Sequence, residues 1–228
     1  PVLLFCTDEE GGLYPGIRYL AEQKLVEGHL LSFNGGAAPR IWAGCFGSFD
    51  LLATVTGRAA HSGDPGGGVN AIEAALPLLN ALAALKPVVE ARLSALPPPP
   101  HHHGQPLHAR LTIAAAHGGQ KGSSLPASFS ILINRRYAPE EDFDAALAEL
   151  QTTIATALRD SPALGHRVEL IGHLAPVCDP TGPHWPRWQA ALSRGFGFPP
   201  ESFAAWGSAT SSDMGWVQRA GIREILLG

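Results

Sequence analysis

The stretch FDLLATVTGRAAHSGDPGGGVNAIEAALPLLNALAAL, residues 49–85, decides how this chain is read. Its first nine residues, Phe49 to Gly57, are apolar and β-branched and stop at a glycine, the signature of a strand. RAAHSGDPGGG follows, dense in residues that break regular structure, and predicts a loop. From Asn70 to Leu85 the apolar residues recur with helical spacing, and Pro77 predicts a kink.

Downstream, Ala109 to Ala116 and Phe129 to Asn134 read as strands. Pro139 opens a predicted helix running to Leu158, with Glu140, Glu141 and Asp142 in its first turn, where the helix dipole favours acids. Arg167 to Gly172 is another short strand. Strand, helix, strand, strand, helix, strand is the order of a split βαβ, ferredoxin-like unit, compact enough to form its own domain. The flanks then read as two parts of a second domain interrupted by this insertion. The first part has a helical pattern over residues 14–27 and a strand from His29 to Phe33 ending at Asn34-Gly35-Gly36. The second has a helix from His184 to Phe196, a glycine-serine loop from Gly207 to Asp213, a further helix and the strand Glu224 to Leu227. The expected organisation is α/β: residues 1–48, an inserted unit at 49–173, and residues 174–228.

Composition narrows the function. The 228 residues suit one large or two small domains, and 45% hydrophobic content is ordinary for a globular core. Sixteen basic against twenty acidic residues, with no basic tract, argue against nucleic acid as a partner. No apolar run approaches the roughly 18 residues that span a bilayer, so no membrane is expected. Cys6, Cys45 and Cys178 are odd in number and far apart, which fits a reducing, cytoplasmic setting better than a disulfide framework. His101, His102 and His103 follow four consecutive prolines; neighbours in such a tract converge poorly on one ion, and the segment from Ala95 to Leu107 reads as a flexible surface loop.

The run VLLFCTDEEGG, residues 2–12, reads as a buried strand emptying into a glycine turn with two adjacent carboxylates. Two readings stand for Glu9 and Glu10: a solvated turn, or a division of labour in which one carboxylate binds a cation and the other moves protons.

Five stretches in order resemble the co-catalytic zinc amidohydrolases and exopeptidases of the acetylornithine deacetylase, succinyl-diaminopimelate desuccinylase and carboxypeptidase G group. They are DEEGG at 8–12, TVTGRAAHSGDPGGGVNAIEAA at 54–75, GGQKGSSLPASFSILINRRYAPEEDF at 118–143, GSATSSDMG at 207–215 and AGIREILLG at 220–228. The resemblance implies a zinc-peptidase catalytic domain interrupted by a ferredoxin-like lid that forms a homodimer. It implies cleavage of an amide bond in an N-acyl amino acid or small peptide, with two zinc ions or cobalt in their place. Glu9 matches the general base and Glu10 a zinc ligand. His61 matches a lid histidine that reaches the partner's site to stabilise the oxyanion; a loop histidine bonding its own turn is the other reading. Arg136 matches an arginine that grips the substrate carboxylate, a task suited to its bidentate fork. Asn70 and Gly119 match positions lining the cleft, with packing or turn geometry as their alternatives.

Asn134 and Asn34 depart from the pattern. The first replaces an aspartate two positions before the arginine. The second stands where a metal-binding carboxylate is expected, and its carbonyl lacks the charge that holds zinc. The family's His-x-Asp motif and bridging aspartate belong upstream of Glu9, and its last histidine ligand downstream of the final strand. The chain is therefore expected to be an incomplete, inactive piece of a longer hydrolase. The alternative is a catalytically degraded homologue that binds ligands or serves as a dimerising module.

Overall fold

The computed structural model describes residues 3–6, 13, 15–32 and 40–227. Its largest unit is a four-stranded antiparallel sheet of β3 (Gly47–Thr56), β4 (Arg110–Gly118), β5 (Ser128–Tyr137) and β6 (Gly165–Leu174), in the spatial order β4-β5-β3-β6. The first strand of the unit lies between its third and fourth, as in a ferredoxin-like split βαβ. The inserted lid expected from the sequence is present. Alternation sets its register: Phe49, Leu51, Ala53 and Val55 of β3 face inward beside Phe129, Ile131 and Ile133 of β5. Two helical segments cover that face. Leu78, Leu82 and Val89 come from α3 (Leu76–Glu90), and Ala146, Leu150, Ile154 and Leu158 from α4 (Phe143–Leu158). Intervals of four and seven keep each set on one side of its helix.

The helices depart in detail from the sequence reading. Pro77 does not kink one helix; it occupies the first turn of α3, after the short helix α2 (Ala71–Ala74) has ended at Ala75. A proline lacks an amide hydrogen, and a first turn has no intrahelical acceptor for one. The helix then runs through Pro87 to Glu90. Together α2 and α3 form a stretch, Ala71–Glu90, long and apolar enough to cross a bilayer, which the sequence reading did not anticipate; its inner residues pack on the lid sheet. The second helix starts at Phe143 rather than Pro139, with Asp142 as the cap accepting the Ala145 N–H at 2.8 Å. Glu140 and Glu141 instead reach sideways. Glu140 accepts from the Ala95 N–H at 2.8 Å, while Glu141 pairs with the buried Arg135 and with Arg92.

The rest of the structure holds two small sheets. Strands β2 (Arg40–Cys45) and β8 (Ala204–Ser208) run parallel, with β7 (Val177–Cys178) antiparallel on the other side of β2. Strand β1 (Leu30–Ser32) pairs in parallel with β9 (Ile225–Leu227). Helices α1 (Gly16–Glu22) and α6 (Met214–Arg219) join β7 and β9 in one apolar cluster with Ile17, Ala21, Val177, Val217 and Ile225. Helix α5 (Trp185–Phe196) packs Trp185 and Trp188 against Ile41 and Leu226. The first strand expected from the sequence is not formed over residues 3–6, where Leu3 and Phe5 are 81% and 91% exposed. No strand among the described residues pairs with this segment, and an unpaired apolar run has neither a ladder nor a covering layer. Leu4 packs against the α1/α6 cluster.

The proline-rich segment is not a free surface loop. Leu96 and Leu107 pack with Phe46, Ala138 and Ala209, and the Gly207 N–H donates to Pro97 O at 2.7 Å. The segment therefore straps the lid to β8. Gly207 permits this approach, since a Cβ there would lie 2.5 Å from the Leu96 Cβ.

Candidate functional site

Two ends of the lid carry the residues singled out by sequence. At one end the loops following β3 and β4 zip together. The Gly57 N–H donates to Ala127 O at 2.8 Å, the Leu125 N–H to Ala60 O at 2.8 Å and the Ala71 N–H to Pro126 O at 2.9 Å. This brings His61, Asn70 and Gly119 into one neighbourhood. His61 is exposed, and its Nδ1 accepts the Gly63 N–H at 3.1 Å, so within the protomer it bonds its own turn. Asn70 caps α2: its Oδ1 accepts from the Ile72 N–H at 3.0 Å and its Nδ2 donates to Glu73 at 2.8 Å. Gly119 has φ +75, a conformation costly for any residue with a Cβ, and it lies against Pro126 and Ile72. Within the protomer Asn70 is thus a helix cap and Gly119 a turn residue.

Arg136 lies at the opposite end. It is eight residues along β5 from Ser128, about 27 Å at strand rise. It projects from the sheet face that bears no helices, alongside Asn134, and its Nη1 donates to the Ser211 hydroxyl at 2.8 Å. Ser211 belongs to GSATSSDMG, the loop between β8 and α6, so this bond crosses from the lid to the rest of the structure. Asn134 donates to Asp50 Oδ1 of the neighbouring strand at 2.8 Å.

Glu9, Glu10 and Asn34 lie outside the described residues. Asn34 follows the C-terminal end of β1 in sequence.

The junction between lid and remainder holds a polar group that sequence reasoning missed. His173 of β6 is 6% exposed, stacks on Phe143 at 3.7 Å and meets the Trp216 ring edge-on at 5.0 Å. Its Nε2 bonds the Tyr137 hydroxyl at 2.8 Å. Burial, with the positive charges of Arg219 and Arg18, lowers its pKa to about 4. The ring is a neutral structural partner at neutral pH. No pattern in the sequence marked it, because Tyr137 and His173 become neighbours through strand pairing to β3.

The cysteines have no thiolate character. Burial pushes the Cys45 thiol up to about 12, and burial also raises Cys6 and Cys178. A thiol so protonated is a poor nucleophile. Among the described residues, His29, His184 and Glu224 have ligand atoms within 4.8 Å of one another and could hold a cation; the triple histidine belongs to no such group. Their positions, far apart in sequence, gave no spacing signal.

Comparison with known proteins fits this geometry. Residues 44–162 match the peptidase dimerisation domain of the M20 peptidases. The chain is 30% identical over 152 residues to carboxypeptidase G2 of Pseudomonas sp. (strain RS-16), covering 65% of this chain and 32% of that protein. Its fold resembles the dipeptidase Dug1p of Saccharomyces cerevisiae at 17% identity, with a TM-score of 0.65 and coverage of 92% of this chain and 54% of the other. It also resembles an aminobenzoyl-glutamate utilization protein of Klebsiella pneumoniae at 20% identity, with a TM-score of 0.61 and coverage of 97% and 55%. The chain thus spans about a third of the curated relative and about half of these solved structures. With more than half its length in that dimerisation domain, lying between two parts of an α/β remainder, this chain belongs to the M20 family of peptidases and amidohydrolases.

Proposed function

We propose that the protein is a metal-dependent hydrolase that cleaves the amide bond of an N-acyl amino acid or small peptide, working as a homodimer through its lid. The match of residues 44–162 to a peptidase dimerisation domain carries this reading. Carboxypeptidase G2 and a dipeptidase among the similar proteins support the substrate class. In this reading Arg136 grips the substrate carboxylate with its planar fork, beside Ser211. Glu9 takes a proton from the attacking water and returns it to the leaving amine, while Glu10 binds metal. Asn70 and Gly119 shape the cleft end of the lid.

The lid surface supports the dimer. Strand β4, RLTIAAAHG, is a sheet edge whose residues are mostly exposed, and only its first residue carries a fixed charge. Soluble proteins usually blunt such an edge with lysine, proline or a covering element. Beside it the outer face of α3 exposes Leu76 and Val88. A second copy laid on β4 and α3 would satisfy both the edge and the apolar face.

The family's metals are zinc or cobalt in this reading. Glu10 and Asn34, one carboxylate and one amide, do not make a zinc site by themselves, because zinc takes three or four charged or imidazole ligands. Asn34 also favours a second reading, a homologue that binds ligands without hydrolysis. Metal analysis and turnover of N-acyl amino acids, in the protein carrying its complete ligand set, separate the two. Glu9→Gln should keep the metal and lose turnover, whereas Glu10→Gln should lose turnover together with the metal held at that centre. Metal loss alike in both variants would contradict the division of roles, and a wild type that binds but does not turn over would leave the binding module.

A further inference from the structure

We infer that His29, His184 and Glu224 form a divalent-cation site of the zinc class, separate from the metal centre assigned to Glu10. His29 and Glu224 immediately precede the paired parallel strands β1 and β9, and the Leu30 N–H donates to Glu224 O at 3.0 Å. Parallel pairing therefore sets their side chains next to each other at the N-terminal end of the two strands. His184, the residue before α5, completes the group: its backbone N–H donates to Glu224 Oε1 at 2.7 Å, and its Nδ1 lies 2.7 Å from Oε2.

The site is built rather than incidental. Glu224 is 8% exposed, and it fits beneath the chain only because residue 182 is glycine; a Cβ there would lie 2.5 Å from the Glu224 Cδ. Capping of α5 explains the bonds between Glu224 and His184. It does not explain His29, whose ring stacks on His184 with centroids 4.4 Å apart and meets Trp188 at 4.9 Å. The three ligand atoms lie within 4.8 Å of one another. A tetrahedral zinc ion with bonds of about 2.0–2.1 Å needs its ligand atoms about 3.3 Å apart. Rotation of the exposed His29 side chain would bring its nitrogen into range, and His184 Nδ1 and Glu224 Oε2, now 2.7 Å apart, would separate by about 0.6 Å as the ion replaces the proton between them. Two imidazole nitrogens and one carboxylate oxygen are a zinc-type donor set, with the fourth position open to water.

Calorimetric titration of the metal-free 228-residue chain with zinc chloride tests the site. One equivalent should bind with a dissociation constant near or below about 10 μM, release protons and raise Tm. His29→Ala, which removes no hydrogen bond of the α5 cap, should weaken binding at least tenfold and abolish the Tm rise; His184→Ala should do the same. Glu10→Gln, and a chain with His101, His102 and His103 all changed to Gln, should bind like the wild type. Absence of binding at 1 mM zinc, or binding indifferent to His29→Ala, overturns the assignment. So does loss of binding in Glu10→Gln or in the triple-histidine variant, since the ion would then sit elsewhere. The hydrolase reading is judged by turnover and stands or falls separately.

Discussion

Arg136 on β5 and Ser211 on the loop before α6 meet at 2.8 Å, so one guanidinium nitrogen bridges the lid and the remainder of the structure. The bond is to a neutral hydroxyl, which an incoming carboxylate can outcompete with a charge-assisted pair. If Arg136 grips the substrate in this way, Arg136→Lys should raise KM for a substrate with a free carboxylate about 10- to 100-fold, the equivalent of about 1.5–3 kcal/mol. A substrate whose carboxylate is capped as an amide should show no such change. Equal losses on both substrates would reduce the arginine to a strut between the two units.

Asn70 offers a separate test of structure against function. Its side chain satisfies two amide hydrogens at the start of α2 and bonds Glu73 in return. Asn70→Ala should cost about 1 kcal/mol, or about 2–4 °C in Tm for a chain of this size. Asn70→Ser should recover most of it. Loss of turnover in Asn70→Ser at unchanged Tm would show that the amide also meets substrate.

The His173 ring makes stability depend on pH. Its folded pKa of about 4 lies below the unfolded value of about 6.5, so between those values the unfolded chain binds more protons. Its contribution is complete above about pH 6.5 and is lost as pH falls towards 4, by at most about 3 kcal/mol. Urea denaturation at pH 7, 5.5 and 4.5 reads this slope. His173→Phe keeps the stack on Phe143 but removes the titration, so its stability should fall less steeply over the same range; an identical slope would place the acid sensitivity elsewhere.

Much of the lid was legible because local signals and long-range pairing agree there. β-Branched alternation from Phe49 to Thr56, the breaker-rich loop after Gly57 and the helical spacing after Asn70 each fix one element, and their order leaves few topologies. The strand Arg40–Cys45 escaped notice because RIWAGC is short and has no alternation, and its burial comes from pairing with β7 and β8. The strap at 95–107 was misread for a related reason: prolines advertise a loop but say nothing about what lies beneath them, here Phe46 and β8. For the site, motifs pointed to Arg136 and His61, whereas Ser211, Asp50 and Glu224 act through partners more than 35 positions away that spacing cannot reveal.

The separation of His61 from Arg136 leads to the last prediction. Both belong to one lid, yet they lie towards opposite ends of its sheet, Arg136 being about 27 Å along β5 from Ser128 at the other end. A rigid sheet cannot bring both ends to one substrate, so in the proposed dimer, with its two-fold contact across β4 and α3, an oxyanion-stabilising His61 would act on the partner subunit's site. Glu9→Gln and His61→Ala proteins should each be inactive, the first for want of a base and the second for want of the donor. After subunit exchange, the mixed dimer holds one site with both groups intact. Activity should return to as much as about a quarter of the wild-type level, because half the dimers are mixed at equilibrium and each has one working site. Exchange verified by mass with no recovered activity would confine His61 to the turn it makes with Gly63.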